Sequence, residues 1–158
     1  MLEAYTDAPT AFTSTRAERA PLPMDWWESR LERDTVFGAF ESDRLVGVAG
    51  LRLERRERTS HKALLFGMYV APSARGLGLG RALVDAALAH ARALPEIRVV
   101  QLTVTKSNGP ALRLYEACGF VRFGSEPFAV RFGDGFVTKA HMWCDVTAPE
   151  PTAPATKT

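Results

Sequence analysis

Soft metal ligands and disulfide partners are scarce in this chain: 158 residues hold two cysteines and three histidines. Cys118 and Cys144 cannot build a disulfide framework, and neither has a sequence partner that would make it a nucleophile. No ligand spacing for a metal is present, and His141 reads as a packing residue in the last strand. Apolar runs long enough to cross a membrane are missing, as is a secretory leader. The expectation is a cytoplasmic protein in a reducing compartment, with no membrane partner. Excess charge is missing too: 20 Lys and Arg face 18 Asp and Glu, a net of +2. That balance argues against a nucleic-acid partner.

What is present is apolar content, 46% of residues, enough for one folded core. A single domain is expected over 1–146, with a poorly patterned segment at 1–23. The proline-rich stretch 147–158 is expected to be disordered. No internal repeat is visible.

Met24 to Arg33 reads as a short helix with Asp25 as cap, Glu28 three residues on, and Trp26, Trp27 and Leu31 buried along one side. Thr35–Glu41 and Leu45–Glu54 read as a hairpin around Ser42-Asp43-Arg44. The charged stretch from Arg55 to Ser60 links to a third strand, His61–Val70, which Pro72 stops. Arg52, Arg55, Arg56, Arg58, His61 and Lys62 read as a solvated connection. Gly78 to Leu94 is a helix whose stripe is Leu83, Val84, Ala87, Leu88, Ala91 and Leu94. Arg98–Thr105 is a β-branched strand. Asn108 caps a second helix that buries Ala111, Leu114, Tyr115 and Cys118 and stops at Gly119. Phe120–Phe123 reads as a short strand. Ala129–Phe132 and Phe136–Val146 form a last hairpin around Gly133-Asp134-Gly135. This order predicts an α/β protein of the α+β type, with a mixed, mostly antiparallel sheet flanked by helices. Its central strand–helix–strand unit is expected to be parallel.

The most informative run is Arg75-Gly76-Leu77-Gly78-Leu79-Gly80-Arg81, placed between a strand and a helix start. Such a place turns main-chain N–H groups toward an anion. A P-loop would need Lys-Ser/Thr after its last glycine, and Gly80 is followed by Arg81-Ala82. A dinucleotide fold would need a sixth-position glycine, where Arg81 stands, and an acid after the next strand, where Lys106-Ser107 stands.

The spacing that fits is Arg-x-x-Gly-x-Gly, at Arg75, Gly78 and Gly80. Met68-Tyr69-Val70-Ala71-Pro72 precedes it. The segment from Asn108 through Tyr115-Glu116 to Gly119-Phe120 follows at the expected distance. With these two motifs in order, the chain resembles the GNAT superfamily of acyl-CoA-dependent N-acetyltransferases over Val36 to Val146. The resemblance implies transfer of an acetyl group from acetyl-CoA to a primary amine, small molecule or peptide, by direct attack in a ternary complex. It places the diphosphate on the amides of Gly76, Leu77, Gly78, Leu79, Gly80 and Arg81, with charge from Arg75 and Arg81. It pairs the pantetheine with the backbone of Met68 and Val70, and a bulge at Gly67–Tyr69 supplies an oxyanion donor. Tyr115 is the implied acid for the leaving thiolate, and Asn108 holds the cosubstrate arm or a water. The family's strand glutamate aligns with Leu64, which cannot accept a proton, and Glu54, Glu57, His61 and Glu126 read as solvated.

Family members also begin with a strand and a long helix before the segment equivalent to Met24. Here Leu2–Thr6 reads as the remnant of that helix and the first strand is missing, so Thr35–Glu41 is expected at an exposed edge. A homodimer covering this edge, or the hairpin at the other end, is expected. Loss of that part leaves a second reading: an acyl-CoA-binding module without efficient turnover.

Overall fold

The computed structural model describes residues 1–147; the expected disorder of the tail falls, beyond Thr147, outside the described residues. The chain runs α1 (Leu2–Asp7), α2 (Arg16–Arg19), α3 (Met24–Arg33), β1 (Thr35–Glu41), β2 (Arg44–Leu53), β3 (Lys62–Val70), α4 (Leu79–Arg92), β4 (Val99–Thr105), α5 (Gly109–Ala117), β5 (Val121–Phe132) and β6 (Gly135–Asp145). The six strands make one sheet in the order β1-β2-β3-β4-β6-β5. Only β3 and β4 are parallel, as the crossover through α4 requires. Both β1 and β5 are edges of this sheet.

The core lies between the sheet and helices α4 and α5. Leu83, Val84, Ala87, Leu88 and Ala91 of α4 are buried, with Leu94 packed beside them. They meet Val100, Leu102 and Val104 of β4 and Ala140, Met142 and Cys144 of β6. The opposite face carries the N-terminal helices only in part. Asp34, just after α3, is 6% exposed and accepts two hydrogen bonds from Arg52 of β2, at 2.9 and 2.7 Å. Arg52 is therefore a structural partner, not part of a solvated link.

Four other expectations need correction. Asp25 does not cap α3. Pro23 takes the cap position with an extended backbone and no side-chain bond, because its ring already fixes the entry angle. No residue of α3 is buried, and Leu31 is 62% exposed, because Trp26 and Trp27 pack on each other, with Arg19 and Arg30 over Trp26, and only half-bury there. The segment 1–23 holds two short helices, and α2 begins with a reciprocal Thr15–Glu18 capping box. Finally, Phe120–Phe123 and Ala129–Phe132 are not separate strands. They belong to one twelve-residue strand, β5, which absorbs Gly124 and Pro127 at two irregularities against β6. An edge strand tolerates both residues because one side of its ladder is unpaired.

Candidate active site

Strands β3 and β4 pair over three residues only, Lys62↔Val99, Ala63↔Val100 and Leu64↔Gln101. Beyond them both strands continue, β3 to Val70 and β4 to Thr105, without pairing each other. The result is a V-shaped gap in the middle of the sheet. On its β3 side the register against β2 slips between Val48/Gly50 and Phe66/Tyr69, so β3 holds one extra residue there. Gly67 sits in that bulge at φ +63°, a conformation that glycine takes without cost. The expected bulge at Gly67–Tyr69 is thus in place. The Ala71 amide donates to Val46 of β2 at 2.8 Å, so the main chain of Val70 faces the gap.

The glycine run follows a 3-10 turn, Pro72–Ala74. Gly76 and Gly78 have φ of +82° and +78°, and a Cβ at either would meet nothing within 4 Å. They are glycines for backbone conformation, and the space before them is open. Gly78 is the N-cap of α4 and offers no capping side chain. Leu79 and Gly80 stand in the first turn, where the amide has no carbonyl four residues back. Gly80 also permits a close helix contact, since a Cβ there would lie 3.2 Å from Leu114 of α5 and 3.5 Å from Met68 of β3. This close approach seats α5, and hence Tyr115, beside the start of α4.

The two arginines of the run are already engaged. Arg75 donates through Nε to the Val70 carbonyl at 3.0 Å and through Nη2 to Asp7 Oδ2 at 2.7 Å. Arg81 donates to Asp85 at 2.8 Å and to the Ala117 carbonyl at 3.2 Å. They brace the loop against α1 and α5, and the main-chain amides are left as the anion-facing groups.

Asn108 stands after β4 and caps α5, its Oδ1 accepting from the Ala111 amide at 3.2 Å. Its side-chain oxygen is thus committed and its NH2 remains to donate. Tyr115 is 7% exposed, stacks edge-on against Phe120, and its hydroxyl has no hydrogen-bond partner among the described residues. Burial pushes its phenol up to about 12. It holds its proton throughout the neutral range and so has a hydrogen to donate. Tyr69 points to the other face, where its hydroxyl lies 3.4 Å from Asp7. Cys118 and Cys144 are buried, which raises both thiols, Cys118 to about 11. The candidate residues Met68, Val70, Arg75 and the run to Arg81 thus stand on the β3–α4 side of the gap and Asn108 and Tyr115 on the β4–α5 side, while the Tyr69 side chain is turned to Asp7.

Sequence reasoning missed the way residues 7–10 cross this gap. Asp7 binds Tyr69 and Arg75 at the β3 end, and the Thr10 carbonyl accepts from Thr105 Oγ1 of β4 at 2.7 Å. No local pattern announces contacts spanning such distances in sequence. The chain Thr15-Arg16-Ala17-Glu18, by contrast, was a readable helix-start signal.

Among known proteins, the model described as the Acetyltransferase (GNAT) family matches residues 1–120, so the likeness reaches the N-terminal segment as well. The mycothiol acetyltransferase of Geodermatophilus obscurus is 40% identical over 88 residues, 54% of this chain and 28% of that protein. The chain therefore spans under a third of that relative. A GNAT-family acetyltransferase from Streptococcus pneumoniae superposes with a TM-score of 0.76 at 25% identity, covering 89% of this chain and 87% of that one. A Salmonella typhimurium structure with its cofactor acetyl-CoA has the same fold, with a TM-score of 0.77 at 22% identity, covering 99% of this chain and 91% of that one. No helix among the described residues is long and apolar enough to cross a membrane.

Proposed function

Because the chain belongs to the GNAT acetyltransferase family, we propose that it transfers an acetyl group from acetyl-CoA to a primary amine in a ternary complex. One observation carries the reading: β3 and β4 separate after Leu64 and Gln101, and the gap ends at an open, glycine-lined helix start. The residues present fit the cosubstrate. Open space before Gly76 and Gly78 admits a diphosphate, and the amides from Gly76 to Arg81 with the α4 dipole suit its charge. The unpaired edges of β3 and β4 suit the two pantetheine amides, which would add as a partial strand beside Met68 and Val70. Bound there, acetyl-CoA supplies an activated acyl thioester.

The chain's own groups then have distinct roles. An amide of the Gly67–Tyr69 bulge, freed from the β2 ladder, stabilises negative charge on the acyl oxygen. The Tyr115 hydroxyl, without another partner, donates a hydrogen bond to the departing sulfur. Burial keeps the proton on Tyr115 at neutral pH, so it is there to meet the departing thiolate. Asn108 orients the cosubstrate arm through its remaining NH2.

The cytoplasmic setting stays part of this reading. So does a homodimer covering the β1 edge or the β5–β6 hairpin, where Phe128, Phe132 and Phe136 are at least half exposed. The test is titration calorimetry with acetyl-CoA, followed by release of free thiol with a panel of primary amines. Saturable binding and amine-dependent thiol release are expected; absence of both on folded protein overturns the reading.

A further inference from the structure

The transfer also needs a proton acceptor, and Leu64 offers none. The face of the sheet opposite α4 and α5 carries one. Thr103 of β4 lies two residues beyond the last β3–β4 pair, at the mouth of the gap, and stands opposite His141 of β6. The neighbours of both in sequence, Leu102, Val104, Ala140 and Met142, are core residues, so Thr103 and His141 point the other way. His141 Nε2 lies 2.8 Å from Glu126 Oε2 of β5. With Nε2 donating to that carboxylate, Nδ1 is left as the accepting nitrogen. On the same face Val99, Gln101, Phe123 and Trp143 line a groove of about 270 Å³. Phe123 packs edge-on against the His141 ring at 5.9 Å, so groove and imidazole are contiguous.

We infer that His141, oriented by Glu126, is the general base of the transfer, taking a proton from an acceptor amine whose apolar or aromatic body lies in the Val99–Gln101–Phe123–Trp143 groove. The inference rests on the acetyltransferase reading above. It assigns the two faces of the sheet opposite duties: Tyr115 and the amide cradle on the α4–α5 side, the incoming amine on the other, with the gap as the passage between them.

One carboxylate steers the His141 ring. Glu126 faces it from β5, Thr103 and Gln101 of β4 are uncharged, and Lys139 and Asp145 lie on its own strand, the latter 3.9 Å from Arg98. Lys139 is 7% exposed, and its ammonium has no hydrogen-bond or ion-pair partner among the described residues.

The step balances. The acceptor ammonium gives one proton to Nδ1. The freed lone pair forms the C–N bond as the C–S bond breaks and the electron pair leaves on sulfur. The second amine proton ends on sulfur, directly or through water, giving amide and free thiol, and His141 returns its proton to solvent.

The test uses phenethylamine and acetyl-CoA, reading thiol release from pH 6 to 9.5. His141→Ala is expected to lower kcat/KM about 100-fold at pH 7, to keep acetyl-CoA affinity within about twofold, and to recover at least tenfold with added imidazole. Its rate should climb with pH where the wild type levels off. Glu126→Gln, at an exposed position, is expected to lose about tenfold and to displace the same limb of the profile. Activity of His141→Ala within threefold of wild type, or a loss that imidazole does not rescue and that leaves the profile unchanged, overturns the assignment. Failure of the acetyltransferase reading is distinct: the wild type itself would then bind no acetyl-CoA and release no thiol.

Discussion

Substitution at Gly78 separates backbone conformation from bulk and charge. Gly78 has φ +78° and ψ 1°, and a Cβ there meets nothing within 4 Å. An alanine therefore brings no clash and only the left-handed penalty, about 1–2 kcal/mol. Its smaller unfolded-state entropy returns about 0.4–1 kcal/mol. The net loss is about 1 kcal/mol, or about 2–4 °C in Tm for a chain of this size. Asparagine, which tolerates the left-handed region, should cost less than alanine. Glutamate meets the same open space, and its carboxylate is favourable at a helix start. Gly78→Glu should then unfold no earlier than Gly78→Ala. Acetyl-CoA affinity should behave differently: Gly78→Asn and Gly78→Ala weaken it about tenfold or less, while Gly78→Glu weakens it at least 100-fold, about 2.7 kcal/mol. Urea unfolding gives the first series and titration calorimetry the second. If Gly78→Glu is more than about 1 kcal/mol less stable than Gly78→Ala, the space is not open. If it binds acetyl-CoA within threefold of wild type, the diphosphate is not held by this helix start.

Three further outcomes are expected. Tyr115→Phe removes a hydroxyl that has no hydrogen-bond partner among the described residues, so stability should change by less than about 0.5 kcal/mol, while kcat falls about 10–100-fold and acetyl-CoA affinity holds; stopped-flow thiol release alongside calorimetry checks this. Asp34→Asn should cost about 1–3 kcal/mol at pH 7, at the lower end because Arg52 is 38% exposed. Arg52 hydrogen bonding holds the Asp34 carboxyl below its ordinary value, so this contribution is complete above about pH 4. It is lost as pH falls through the lowered folded value, so the wild-type advantage in urea should shrink on acidification. Gly50→Ala would place its Cβ 2.5 Å from the Phe66 ring, which itself lies under the Arg52 guanidinium. A loss of about 1–3 kcal/mol is expected, relieved when Phe66→Leu is added; thermal unfolding of both variants reports it.

Elements with a complete local pattern were legible in the sequence. The α4 stripe reads at helical spacing and is buried as read. Asn108 caps α5, and Gly119, at φ +92°, ends it. The glycine run was readable because open main chain at a helix start leaves a compositional trace. What escaped depends on other strands. Gly124 and Pro127 look like breaks, yet pairing with β6 carries β5 through both. Glu126 and His141 look like separate surface residues until register places them 2.8 Å apart. Leu31 follows the α3 pattern but meets solvent, because periodicity marks a face without saying what covers it.

The contacts of residues 7–10 give the gap a cross-brace. Arg75 and Tyr69 hold Asp7 at one strand end, and Thr105 holds Thr10 at the other, so three side-chain bonds act as a strut across two strands that have stopped pairing. Unbraced parallel strands bearing unsatisfied amides would be drawn to zip together or to recruit a foreign strand. Spanning them at the rim ties the two strand ends to a third segment and holds them apart.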